Sequence, residues 1–142
     1  MGVREFFEWD PEKLSVGVDT MDSQHQRLIG MINQIYAASE RAPSLEANVR
    51  AFDALVQYAG MHFQQEEALM EREKFPGLKV HKIVHEDLVK KLHVHRENLI
   101  KDQGRIGTAL MSFLKVWLTG HIMGVDTQYG KHIHEAHRGE RR

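Results

Sequence analysis

The sequence predicts an all-α fold, an up-down-up-down antiparallel four-helix bundle with an N-terminal extended arm. Three observations carry that prediction. Apolar residues recur at spacings of three and four in four separate stretches, the period of a helix that buries one face. The connections between these stretches are short and contain Pro or Gly, so neighbouring helices must turn back on one another. Histidines and carboxylates fall on the same apolar stripes in all four stretches, which implies one shared interior. With 142 residues, 42% of them hydrophobic and 27% charged, the chain suits a single globular domain over 1–142.

Taken in order, residues 1–18 show no helical period. Trp9, Pro11, Leu14, Val16 and Val18 read as an arm that caps the core. The first helix is expected over 19–41, with Asp19 or Thr20 as N-cap and Asp22 in the first turn. Its stripe is Met21, His25, Leu28, Ile29, Ile32, Ile35 and Tyr36. Gly30 interrupts it at a cost of about 1 kcal/mol relative to Ala, for which close packing is the reason the pattern offers. The second helix spans 44–74, capped by Ser44, with Phe52, Leu55, Ala59, His62, Glu66 and Leu69 inward. Phe75-Pro76-Gly77 ends it, because Pro76 lacks the amide hydrogen a helix requires. The third spans 78–101, with His81, His85, Leu88, Leu92 and Leu99 on one side, and Gly104 lies in the break that follows. The fourth spans 105–124, with Ile106, Leu110, Phe113, Leu114, Trp117 and His121 inward. The C-terminal segment, 125–142, carries His132, His134 and His137, read as a solvated tail and not as a second surface site, because no apolar stripe or carboxylate pair frames them. Arg138 to Arg142 reads as a frayed basic end.

Composition excludes several function classes. The net charge of −1 provides no drive towards nucleic acid or an anionic membrane. The chain has no cysteine, so disulfides, iron–sulfur clusters and thiolate zinc sites are excluded and any metal must be held by nitrogen and oxygen. A cysteine-free chain suits a reducing cytosol, and a cytoplasmic location is expected. The N-terminus has no long apolar run and is not a secretory signal. Gly2 follows Met1, but Phe6 stands where a myristoylation signal needs Ser or Thr. The apolar stretch from Ala109 to Val125 is broken by Lys115 and His121 and reads as a buried helix, with no membrane insertion.

The chemistry lies in seven residues: His25, then His62-x-x-x-Glu66, then His81-x-x-x-His85, then His121 with Asp126 five residues on. A spacing of four returns to one helix face. That face is the apolar one, so five imidazoles and two carboxylates are buried together. Left unpaired they would cost about 1–3 kcal/mol each, more than the net stability of a domain. A pair of metal ions satisfies all seven. Five imidazoles, two bridging carboxylates and one bridging oxide or hydroxide fill about eleven of the twelve positions of an octahedral pair, leaving one open. On a redox-active metal, a small diatomic molecule would bind there. One detail needs a special backbone. His121 and Asp126 are five residues apart, about 140° off a common face on a regular helix, so a break or π-type turn is expected between Met123 and Gln128.

These spacings, with the lone histidine in DSQHQRL and the segments FEWDPEKLSVGV, HFQQEEALM and WLTGHIMGVDTQY, resemble the hemerythrin family, in particular its stand-alone bacterial form, over nearly the whole chain. The resemblance implies a non-haem di-iron centre, oxo- or hydroxo-bridged, that binds dioxygen reversibly for storage, delivery or sensing. It implies that His81, His85 and His121 complete one iron, that His25 and His62 hold a second, five-coordinate iron, and that Glu66 and Asp126 bridge both. Leu28, Phe63, Trp117, Ile122 and Met123 flank the ligands and could line the oxygen pocket, and plain core packing also accounts for them. Tyr129 matches a family tyrosine and is expected to hydrogen-bond the bridging carboxylate. The alternative is a di-iron enzyme acting on peroxide or nitric oxide. Histidine-rich ligation favours binding over the oxidase chemistry of carboxylate-rich di-iron bundles. A sensing role would act through a separate, unidentified protein partner.

Overall fold

A computed structural model describes residues 6–40 and 44–138. It is all-helical, with no strand among the described residues. A short helix α1 (Pro11–Leu14) precedes four long elements: α2 (Asp19–Ser39), α3 (Leu45–Arg72), α4 (Leu78–Lys101) and α5 (Thr108–His121). After α5 the chain passes through a π-helical turn, Ile122–Asp126, into α6 (Thr127–Arg138). α2 to α5 form the up-down-up-down bundle, with α3 packed against both α2 and α4. The direction of each helix is legible in its contents. The ligand-type residues lie early in α2 and α4 and late in α3 and α5, so all meet at one end.

The expected stripes are buried. Met21, His25, Leu28, Ile29, Ile32 and Ile35 line α2, and Phe52, Leu55, Ala59, His62, Glu66 and Leu69 line α3. His81, His85, Leu88, Leu92 and Leu99 line α4. Ser44 Oγ accepts from the Ala47 amide at 3.3 Å, the expected N-cap. Gly104 takes a left-handed φ of +81°, and a Cβ there would lie 2.5 Å from Leu45 Cα. Gly130 permits another close approach, since its Cβ would sit 2.0 Å from the Val16 carbonyl oxygen.

Several expectations need correction. The arm is not wholly extended: Asp10 accepts from the Glu12 amide, Pro11 opens the turn, and one helical turn forms. Neither Asp19 nor Thr20 caps α2; its N-cap is Val18, without a side-chain cap. Asp22 lies in the first turn as expected and also ties down the arm, accepting from Ser15 Oγ at 2.5 Å and from the Val16 amide at 2.8 Å. Gly30 is open to solvent, with nothing within 4 Å of an added Cβ, so close packing does not explain it. α3 stops at Arg72 and α5 starts at Thr108, a few residues inside the expected bounds. Arg41 and the residues after Arg138 lie outside the described residues.

The C-terminal segment is the largest difference. It is a helix, and its histidines are not a solvated tail. His132 Nε2 donates to the Glu73 carbonyl at 2.8 Å, His134 Nε2 donates to the Gly17 carbonyl at 3.0 Å, and His137 Nε2 lies 2.9 Å from the Glu73 carboxylate. They fasten α6 to the end of α3 and to the arm. Thr108–His137 is long and apolar enough to cross a membrane by length and composition. Trp117, His121, Asp126 and Tyr129 along it are buried inside the bundle.

Candidate metal centre

The four long elements deliver six buried polar side chains to one end of the core, and the π turn adds Asp126 as the seventh. Two groups of ligand atoms form there, each within 4.8 Å internally: Glu66, His81, His85, His121 and Asp126 in one, and His25, His62, Glu66 and Asp126 in the other. Glu66 and Asp126 belong to both, and their two oxygens are divided. Glu66 Oε2 lies 3.4 Å from His25 Nε2 and 3.2 Å from His62 Nε2. Its Oε1 lies 3.4 Å from His81 Nε2, 2.9 Å from His85 Nε2 and 3.8 Å from His121 Nε2. Asp126 Oδ2 lies 3.2 Å from His25 Nε2, while its Oδ1 lies 2.9 Å from both His81 and His121 Nε2. Each carboxylate thus turns one oxygen to each histidine set, the disposition of a bridge.

The π turn makes this possible. Its hydrogen bonds span five residues, so the wider turn brings His121 and Asp126 to one face. Two side chains help: Thr127 Oγ1 donates to the Met123 carbonyl and Gln128 Nε2 to the Gly124 carbonyl, both at 3.0 Å. The expected departure from α geometry is therefore present over Ile122–Asp126, and α geometry resumes at Thr127.

The donors fit a metal pair better than they fit one another. His25 Nε2, His62 Nε2, His81 Nε2 and both Asp126 oxygens are buried without a hydrogen-bond partner. The His85 and His121 Nε2 atoms face each other at 3.2 Å, a contact that at most one proton can serve. Orphaned lone pairs converging from two sides are what cations relieve.

Without metal, the cluster holds protons instead. Burial pushes His25 down, but the Asp126 and Glu66 carboxylates close beside it outweigh that and raise it to about 9. His121 is raised to about 9 against the same burial, first by the Asp126 charge. Burial pushes both carboxylates up, yet the surrounding imidazoles hold Glu66 and Asp126 below their ordinary range. Burial and the Glu66 charge drive Tyr129 far upward, so its hydroxyl stays protonated. That hydroxyl donates to Glu66 Oε2 at 2.8 Å.

Of the residues read as pocket lining, Leu28, Phe63, Trp117 and Ile122 are buried. Phe63 stacks on His85 with centroids 4.0 Å apart, and lies 5.6 Å from His62, 5.7 Å from His121 and 6.1 Å from Trp117. Met123 does not join them. It is 46% exposed, because the π turn faces it outward beside Phe6, Phe7 and Lys115.

Two residues behind the histidines were not singled out from the sequence. Gln24 Oε1 accepts from His62 Nδ1 at 2.6 Å, and Glu67 Oε2 accepts from His85 Nδ1 at 2.8 Å. Each is the immediate neighbour of a ligand-type residue, His25 or Glu66. A neighbour lies about 100° around the helix, so it points towards the adjacent helix and its ligand. That offset was the available signal.

Residues 16–133 match the hemerythrin HHE cation binding domain. A bacteriohemerythrin of Stenotrophomonas maltophilia is 33% identical over 86% of this chain and 78% of its own length. A myohemerythrin of Riftia pachyptila is 32% identical over 87% of this chain and 90% of its own. A crystal structure of wild-type hemerythrin superposes with a TM-score of 0.81 at 24% identity, covering 90% of this chain and 98% of that one. The divided carboxylates, the π turn and these relationships lead to one assignment: the chain belongs to the hemerythrin family.

Proposed function

We propose that this protein binds dioxygen reversibly at a non-haem di-iron centre, for oxygen storage, delivery or sensing. His81, His85 and His121 would hold one iron, His25 and His62 would hold the other, and Glu66 and Asp126 would be shared by both. The observation that carries the reading is the sharing of Glu66 and Asp126 between two donor groups, one oxygen of each to either side. An iron pair held there would supply the reversible electron transfer that dioxygen binding requires.

The chain's own part is to hold, orient and exclude. Tyr129 donates its proton to Glu66 Oε2, which fixes the bridging carboxylate. Leu28 and Ile122 are fully buried next to ligand positions, and Phe63 seals the histidine rings. Reversible binding needs a dry pocket without a general acid to push reduced oxygen onward. Among the described residues, the buried side chains with nitrogen or oxygen atoms are the seven donors, Tyr129, Trp117 (whose Nε1 donates to the Leu88 carbonyl) and Asn48. Asn48 lies at the far end of the bundle, bonded to Gly104.

The test is spectroscopic. Iron-loaded protein, reduced anaerobically and then exposed to air, should develop a coloured oxygenated form that bleaches when oxygen is withdrawn. Rapid one-way oxidation with consumption of peroxide or nitric oxide would assign the enzyme reading instead.

A further inference from the structure

A side chain meets Nδ1 in two of the five imidazoles, one in each half of the centre. In the three-histidine half it is a carboxylate, Glu67 behind His85. In the two-histidine half it is an amide, Gln24 behind His62. Each accepts the ring's Nδ1 proton, which leaves Nε2 as a lone pair aimed at the shared interior. The buried Nδ1 atoms of His25 and His121 have no partner. The two clamps are alike in geometry and differ by one charge.

Neither arrangement is casual. The Gln24 amide is itself held, its Nε2 donating to Gln65 Oε1 at 2.5 Å, so its carbonyl oxygen is turned to His62. Glu67 offers only acceptor oxygens, and its side chain is 25% exposed against 3% for His85. Water therefore screens its charge only in part. A carboxylate accepting a ligand imidazole's far proton makes Nε2 more basic and more electron-rich. A more electron-rich ligand binds a divalent ion more tightly and favours the higher oxidation state. A neutral amide does the same more weakly.

We propose that Glu67 and Gln24 make the two metal positions electronically unequal: Glu67, acting through His85, sets the three-histidine position as the tighter and more readily oxidised one, and Gln24, acting through His62, leaves the two-histidine position more readily reduced. Both are positioning residues, and the proposal rests on the two-metal reading above.

The experiment separates charge from mere packing. Metal-free protein is titrated calorimetrically with zinc, and the one-electron potentials of the iron-loaded form are measured alongside. Glu67→Gln keeps an acceptor for the ring and removes the charge. It should weaken the tighter zinc step about tenfold and raise the lower of the two iron potentials by about 59 mV, the one-electron equivalent of tenfold. Gln24→Glu should strengthen the weaker zinc step and narrow the gap from the other side. Glu67→Leu, which loses charge and hydrogen bond together, should weaken the tighter step further. If Glu67→Gln matches the parent in both readouts while Glu67→Leu does not, Glu67 only orients the ring and the proposal falls. If all three variants match the parent, it falls outright. A parent that takes up a single zinc ion would overturn the two-metal reading as well, so the two failures are told apart in one titration.

Discussion

Where α3 begins and α4 finishes, the bundle interior is Ile35, Phe52, Leu55, Leu92, Leu99 and Leu110, and the buried Asn48 is satisfied by the Gly104 carbonyl at 2.7 Å. Where α3 finishes and α4 begins, seven polar side chains are buried together, with five of their inward-facing atoms lacking partners. One bundle thus closes one end with hydrocarbon and leaves the other with unpartnered polar atoms. The apolar end folds on its own chemistry. The polar end holds donors that a bound cation would satisfy, so metal binding would add to its stability.

The largest test removes the residue that joins the two histidine sets. Glu66→Ala should reduce bound metal from two ions per chain to one or none, with affinity falling more than about 100-fold, beyond what loss of an outer partner costs. Elemental analysis reads the outcome. The apolar end supplies the counterpart. Phe52 is fully buried, and Phe52→Ala should cost about 3–5 kcal/mol, equally in metal-free and metal-loaded protein. A Phe52→Ala chain that stays folded yet loses its metal would show that the two ends are not independent.

This division was partly visible in the sequence. The apolar stripes and the histidine spacings are local, periodic signals, and the buried residues of α4 follow them residue for residue. The π turn could be argued from His121 and Asp126 alone, because a regular helix cannot bring both to one place. What escaped was non-local. Gln24 and Glu67 lie off their own helix's stripe and act on a ring from another helix. Asp22 is the first-turn charge the pattern suggested, but its hold on an arm six or seven residues before it had no local signal. The C-terminal helix has its apolar and polar partners in the arm and at the end of α3, so its own pattern resembled a tail. Met123 lies between two ligand-type residues in the sequence, two after His121 and three before Asp126, but a turn of unusual width sends it outward.

Next in size is a pH effect confined to the polar end. In the metal-free chain His25 and His121 are raised from 6.5 to about 9. Groups raised on folding contribute stability that is fully present below about pH 6.5 and lost as pH rises through about 9. Glu66 and Asp126 are depressed, so their contribution is present above the ordinary carboxylate range and lost only as pH falls through their folded values. The metal-free protein should therefore lose stability between about pH 6.5 and 9, on the order of 3 kcal/mol for each of these two histidines. Metal takes the place of those protons, so metal affinity should climb over the same window. Denaturant midpoints measured across it, with and without metal, should diverge as pH rises. Parallel curves would mean that the cations and the protons do not compete for the same atoms.

The smallest effect sharpens the edge of the polar end. Leu28 lies one turn beyond His25 and is fully buried, whereas Met123 follows His121 by two residues and is 46% exposed. If dryness around the centre preserves the oxygenated iron, Leu28→Ala should speed autoxidation severalfold, because the vacated volume adjoins buried polar atoms and can hold water. Met123→Ala removes a side chain that already faces solvent, so it should change stability by no more than about 0.5 kcal/mol and leave autoxidation as it was. The decay of the oxygenated spectrum in air measures both. The contrast turns on the π turn: it carries Asp126 inward and Met123 outward within four residues. A Met123→Ala chain that autoxidises as fast as Leu28→Ala would mean that the outer face of this turn, not the α2 wall, is what keeps water from the centre.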